Sequence, residues 1–139
     1  MLVRIISSAT VGAELEQTKS LAYGRMTQKN GKYYVCYDEP ESSGLEGTKT
    51  TLKWDLQRVL LLRSGAVTAR QEFCEGLEDV CEYQTAYMLF NLRVKTEYLR
   101  IDVLENQWHI EIHYLLNING AEEKYMRLRI VIEEDLHGN

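Results

Sequence analysis

The stretch Trp108-His109-Ile110-Glu111-Ile112-His113-Tyr114-Leu115-Leu116-Asn117-Ile118 decides the fold. Trp108, Ile110, Ile112, Tyr114, Leu116 and Ile118 take one phase of a two-residue period, and His109, Glu111, His113 and Asn117 take the other. Successive side chains of a strand point to opposite faces, so this run is a strand with one dry face and one wet face. The same alternation extends over most of the chain. Strands are expected at Val3 to Ala9, Leu21 to Gln28, Lys32 to Asp38, Thr48 to Asp55, Arg58 to Arg63, Ala66 to Phe73, Val80 to Thr85, Phe90 to Leu104, Trp108 to Ile118 and Glu122 to Glu133.

Turn chemistry separates these segments. Asn30-Gly31 and Asn119-Gly120 suit two-residue hairpins, because Asn and Gly tolerate the positive φ angles of primed turns; Ser64-Gly65 and Glu105-Asn106-Gln107 are further breaks. Pro40 is the only proline, in the polar stretch Asp38 to Glu46, which reads as a solvated loop. Glu14 to Ser20 is less regular, and Thr18 to Met26 has room for a short turn. In the segment Phe90 to Leu104, Leu92, Val94 and Thr96 hold one parity while Leu99, Ile101 and Val103 hold the other. A bulge near Glu97 and Tyr98 reconciles them and bends the strand, as closure of a sheet requires. The reading is one all-β domain over residues 1–139, a single antiparallel up-and-down β-barrel of about eight to ten strands.

Composition narrows the function classes. With 45% hydrophobic and 27% charged residues and a net charge of -5, the chain resembles an ordinary soluble domain and is poorly matched to a nucleic-acid backbone. Met1 to Ser8 lacks the pattern of a signal peptide, and no run approaches the ~18 apolar residues of a membrane span. The three cysteines, Cys36, Cys74 and Cys81, read as free thiols of a cytoplasmic protein.

No catalytic residue, metal site or cofactor is expected. His109, Glu111 and His113 share a strand face, but the outer two are about 13 Å apart along it, too far for three ligands on one ion. The acidic loop lacks the spaced oxygen ligands of a calcium site, and Ser64 is not in a nucleophile elbow.

Parity singles out Arg63. In Arg58-Val-Leu-Leu-Leu-Arg-Ser-Gly65 it shares the phase of Val59 and Leu61, so its side chain points to the apolar side, where a guanidinium needs a carboxylate, hydroxyls or an anionic ligand. The chain has nine tyrosines and two phenylalanines, a balance that suits a pocket for a partly polar molecule as well as it suits strands. Arg63 is the expected anchor of a small-molecule site, with Tyr37, Trp54, Tyr83, Tyr98 and Tyr114 as lining.

Thr48-Lys-Thr-Thr-Leu-Lys53, Val59 to Val67, Phe73, Tyr83-Gln-Thr-Ala-Tyr87 and Val94-Lys-Thr96 resemble the YwiB-like family of small bacterial proteins, a family of unknown function. The likeness runs from about Tyr23 to Glu134 and is most specific at Arg63-Ser-Gly-x-Val67. It departs at Met88, where the family pattern has a glycine after the aromatic position. The resemblance implies a calycin-like barrel, similar in shape to lipocalins, and marks Gly65, Thr85, Tyr87 and Thr96 as motif positions without a known role. Fold alone does not name a ligand.

Two functions follow as expectations. One is a non-enzymatic barrel binding a small anionic or amphipathic molecule. The other is an interaction module with a packed interior, acting through the acidic loop or a barrel edge, at which a homodimer could form.

Overall fold

In the computed structural model, which describes residues 1–134, ten strands follow one another around a ring. They are β1 (Leu2–Val11), β2 (Glu14–Lys29), β3 (Lys32–Asp38), β4 (Thr48–Trp54), β5 (Val59–Gly65), β6 (Thr68–Phe73), β7 (Glu78–Gln84), β8 (Leu89–Leu104), β9 (Gln107–Ile118) and β10 (Lys124–Glu133). Each is antiparallel to its sequence neighbours, and β1 pairs with β10 from Leu2↔Glu133 to Thr10↔Tyr125, closing the barrel. Among the described residues no helix is long and apolar enough to cross a membrane.

The hairpins use the chemistry that marks them. Asn30 and Gly31 have φ of 54° and 75°, and Asn119 and Gly120 have 53° and 74°, left-handed values that Asn and Gly accept at little steric cost. The β5–β6 turn makes a stronger demand. Gly65 has φ of 105°, and a Cβ there would stand 2.4 Å from the Gly47 carbonyl oxygen, so only glycine lets the two loops approach. The Ala66 N–H donates to that same oxygen at 3.0 Å.

The N-terminal region differs from its expected form. Residues 14–20 belong to a continuous β2, and a tight turn at Gly12 (φ 61°) precedes it, with no turn between Thr18 and Met26. Thr18 and Ser20 point into the barrel, where they border a cavity with Ser7. Inward positions filled by hydroxyl residues instead of aliphatic ones hide the period from a hydrophobicity reading.

The bulge in β8 falls between Thr96 and Tyr98, where the register with β9 shifts from Thr96↔Tyr114 to Tyr98↔His113. Val94 and Thr96 are buried before it, and Leu99 and Ile101 pack against the core after it. Val103, expected on that inner parity, is 52% exposed near the strand end.

Inward side chains fill one end of the barrel. Tyr33, Trp54 and Trp108 form a plug there: Tyr33 stacks on Trp54 at 5.7 Å, and Trp108 meets the two rings at 5.3 and 6.0 Å. Such aromatic pairs add to the stabilisation from area burial. Val3, Val35, Leu52, Val59, Ile110 and Ile132 complete this packed half.

The wall is thinnest between β6 and β7. Only Thr68↔Gln84 and Ala69↔Tyr83 pair there, and the Glu72 N–H donates instead to the Asp79 carboxylate at 3.1 Å. Every other junction between neighbouring strands is a longer ladder.

Candidate functional site

The other end of the barrel holds a cavity of about 380 Å³. Its apolar wall includes Leu61, Phe73, Leu92, Leu116, Leu128 and Ile130, all buried and all inward on their strands. Phe73 and Tyr114, with ring centroids 5.0 Å apart, stand where the cavity meets the packed half. Ser7, Thr18, Ser20, Ser43 and Leu45 border it as well, the last two from the β3–β4 loop with its single 3₁₀ turn, Glu41–Ser43.

Arg63 enters this cavity, as its parity requires. In register it faces Thr50 on β4 and Ala69 on β6. Its side chain is 17% exposed, and its Nε lies 3.9 Å from Glu39 Oε2 on a carboxylate that is only 2% exposed. At that distance the pair is ionic without a direct hydrogen bond. Arg63 Nε is buried with no hydrogen-bond acceptor among the described residues. The same Glu39 oxygen accepts a hydrogen bond from the Thr50 hydroxyl.

Glu39 corrects the reading of the 38–46 stretch as wholly solvated. Val35 and Tyr37 point inward on β3, and the alternation continues one step past the strand end, so Glu39 keeps their parity. Its N–H donates to the Thr48 carbonyl at 2.9 Å, which holds the backbone in line with β4. The cost of burying the carboxylate is offset by Thr50 and Arg63. Gln71 also lies on this wall, buried on the parity of Ala69 and Phe73. Glu39, Thr50 and Gln71 are polar residues on inward phases, so a hydrophobic period does not mark them, whereas Arg63 stands out among the leucines around it.

The five expected aromatic positions separate into three groups. Tyr83 and Tyr114 lie on the cavity wall. Tyr37 is buried beside the Glu39–Arg63 pair, in register with Thr50, and its hydroxyl has no hydrogen-bond partner among the described residues. Burial, followed by the negative charge of Glu39, drives the Tyr37 phenol well above its ordinary range, with Arg63 acting in the opposite sense. Burial likewise pushes the Tyr114 phenol up to about 12, again opposed by Arg63. Both hydroxyls are therefore neutral at physiological pH.

Trp54 and Tyr98 lie elsewhere. Trp54 belongs to the aromatic plug in the packed half, where its inward parity places it below the cavity. Tyr98 stands on the outer face, its ring tilted against His113 with centroids 4.8 Å apart, because the bulge reverses parity just before it. His109, Glu111 and His113 alternate along that outer face of β9, where Glu111 pairs with Arg129 at 3.2 Å and His113 Nδ1 lies 3.1 Å from the Tyr125 hydroxyl.

The motif positions fall in turns and on β8. Gly65 permits the close loop approach described above. The Thr85 hydroxyl accepts from the Tyr87 and Met88 N–H groups at 3.3 and 3.1 Å, fixing the β7–β8 turn without a glycine at Met88. Thr96 ties the β6–β7 turn to β8, exchanging backbone hydrogen bonds of 3.0 Å with Gly76 and Leu77. Tyr87 is 94% exposed.

The fold and its interior define a class: closed, up-and-down β-barrels whose inner wall surrounds a cavity with a charged pair at its polar end. The chain belongs to the family described as Domain of unknown function (DUF1934), whose model matches residues 3–130. It is 28% identical over 109 residues to the uncharacterized β-barrel protein YwiB of Bacillus subtilis (strain 168), an alignment covering 78% of this chain and 75% of that protein. Its fold is similar to the crystal structure of the ywiB protein from Bacillus subtilis, with a TM-score of 0.79 at 23% identity over 96% of this chain and 91% of that one.

Proposed function

We propose that this protein binds one small amphipathic molecule inside the barrel, without catalysis. The apolar part of the guest lies against Leu61, Phe73, Leu92, Leu116, Leu128 and Ile130, and the polar part meets Arg63, Glu39 and Gln71. The observation that carries this reading is the cavity itself, about 380 Å³, mostly apolar, with a few polar groups gathered on its wall. Ligand sites in proteins have this size and this make-up, typically ~300–1,000 Å³. A packed interior, which the interaction-module reading requires, fits this observation less well.

The likeness to calycins is one of shape, supported by the meander order of the strands and the internal cavity. A cytoplasmic location is part of the same proposal. Its support is that Cys36, Cys74 and Cys81 are all free thiols, as a reducing compartment favours.

Native mass spectrometry of the gently purified protein tests the binding reading. The expected spectrum shows one retained small molecule, lost in Arg63→Ala while the circular dichroism of a β-barrel persists. A spectrum of bare protein alone, together with no saturable uptake of an amphipathic fluorescent probe, would overturn it.

A further inference from the structure

Arg63 does not present a free positive charge to the cavity. Glu39 stands opposite it with Oε2 at 3.9 Å, and the carboxylate has almost no contact with water. The other polar groups of this end, Gln71 on the wall and the hydroxyls of Thr50 and Tyr37 beside the pair, are neutral. The polar end is thus balanced at zero net charge before any guest enters.

A guest with a carboxylate head would set two negative charges against one guanidinium. A guest with an ammonium head would set two positive charges against one carboxylate. In surroundings this apolar, an excess buried charge is strongly disfavoured. What the site lacks is hydrogen bonding: Arg63 Nε on the cavity wall is buried with no acceptor among the described residues, and the Glu39 carboxylate beside it takes a hydrogen bond from the Thr50 hydroxyl alone. A head group that both accepts and donates satisfies such groups without disturbing the charge balance.

We propose that the cavity selects amphipathic guests whose polar end is uncharged and both donates and accepts hydrogen bonds, such as an alcohol or primary amide on an alkyl chain, and that Glu39 sets this selection. The inference rests on the cavity-binding reading above. It narrows the expected guest from anionic or amphipathic to amphipathic with a neutral head.

Isothermal titration at neutral pH with octan-1-ol, octanamide, octanoate and octylamine tests it, since the four share a tail and differ in head charge. The wild type is expected to bind the alcohol and the amide at least about tenfold more tightly than either ion, the equivalent of ~1.4 kcal/mol. Glu39→Gln unbalances the pair toward positive charge and is expected to move the octanoate-to-octanol affinity ratio at least about tenfold toward octanoate. Arg63→Gln is expected to move the octylamine-to-octanol ratio toward the amine, so either variant suffices if the other fails to fold.

A wild type that prefers octanoate, or folded variants whose ratios stay unchanged, would overturn the selection by Glu39. Equal binding of all four would overturn the selection while leaving the binding reading intact. Binding of none of the four, with no guest in the mass spectrum, would instead defeat the binding reading itself.

Discussion

Breaking the Glu39–Arg63 pair from either side should not cost the same. Two unit charges about 4 Å apart attract by ~4 kcal/mol at an effective dielectric of about 20, and most of that gain is offset by the desolvation of both groups. The offset is unequal here, because the Glu39 side chain is 2% exposed and Arg63 is 17% exposed. Arg63→Met leaves a buried carboxylate with the Thr50 hydroxyl as its remaining partner and should cost about 3 kcal/mol. Glu39→Gln leaves a guanidinium on a long stem that can turn toward the mouth, at about 1–2 kcal/mol. The double variant removes both charges and should lose less than the sum, giving a coupling of about 1–2 kcal/mol. Urea unfolding followed by tryptophan fluorescence measures all four proteins. Trp54 and Trp108, the only two tryptophans, both sit in the plug, away from the substituted pair. Additivity within about 0.5 kcal/mol, or a larger loss in Glu39→Gln than in Arg63→Met, would refute the reasoning.

Four other outcomes follow from the same structure. Trp54→Ala should cost about 3–5 kcal/mol by opening the plug while leaving uptake of octan-1-ol within a few-fold of wild type; loss of binding at intact fold would return Trp54 to the cavity wall. Gly65→Ala should lower stability by at least about 2 kcal/mol in urea unfolding, since its φ of 105° and the Gly47 carbonyl oxygen in the path of an added Cβ leave no place for a methyl group, and a variant as stable as wild type contradicts that contact. The Asp55 carboxylate is held below its ordinary range, chiefly by the Gln57 N–H and then by that of Arg58, so its contribution is present above the unfolded pKa and is lost as pH falls through the folded one. Asp55→Asn should therefore be less stable than wild type at pH ~7, by about 1 kcal/mol after solvent screening, with the gap closing below pH ~4 in acid-dependent unfolding. For Tyr114 the sign is opposite: a phenol raised to about 12 when folded stabilises the fold fully below the unfolded value and ceases to do so as pH rises through 12. An ultraviolet titration of the folded protein should accordingly be the same for Tyr114→Phe and wild type up to pH ~11.

The barrel was legible because its signal is geometric. From Trp108 to Ile118 in β9 and from Met126 to Ile132 in β10 every inward position is apolar or aromatic, the turns carry Asn-Gly, and the parity reversal in β8 announces its own bulge. Around the cavity the same signal weakens for a physical reason: a wall that borders a polar space can hold Ser7, Thr18 and Ser20 on inward phases, so β2 looked irregular. Arg63 stood out because a guanidinium among leucines breaks the pattern. Glu39 did not, although it continues the parity of Val35 and Tyr37, because Pro40 and the acidic residues after it read as a loop. Aromatic character alone suggests Tyr98 for the lining, whereas the parity reversal at the bulge turns it outward. Cross-strand neighbours such as Thr50 and Arg63 become visible only once register is known.

The central claim is that the upper interior of this barrel receives a guest whose polar end sits at Arg63 and Glu39. A crystal structure grown with octan-1-ol tests it most directly. The account predicts continuous density from the Arg63–Glu39 pair along Leu61, Leu116 and Ile130, with the hydroxyl within hydrogen-bond distance of Arg63 Nε. An interior closed by collapsed side chains, with Arg63 in bulk solvent and the alcohol absent or on the outer surface, would contradict it.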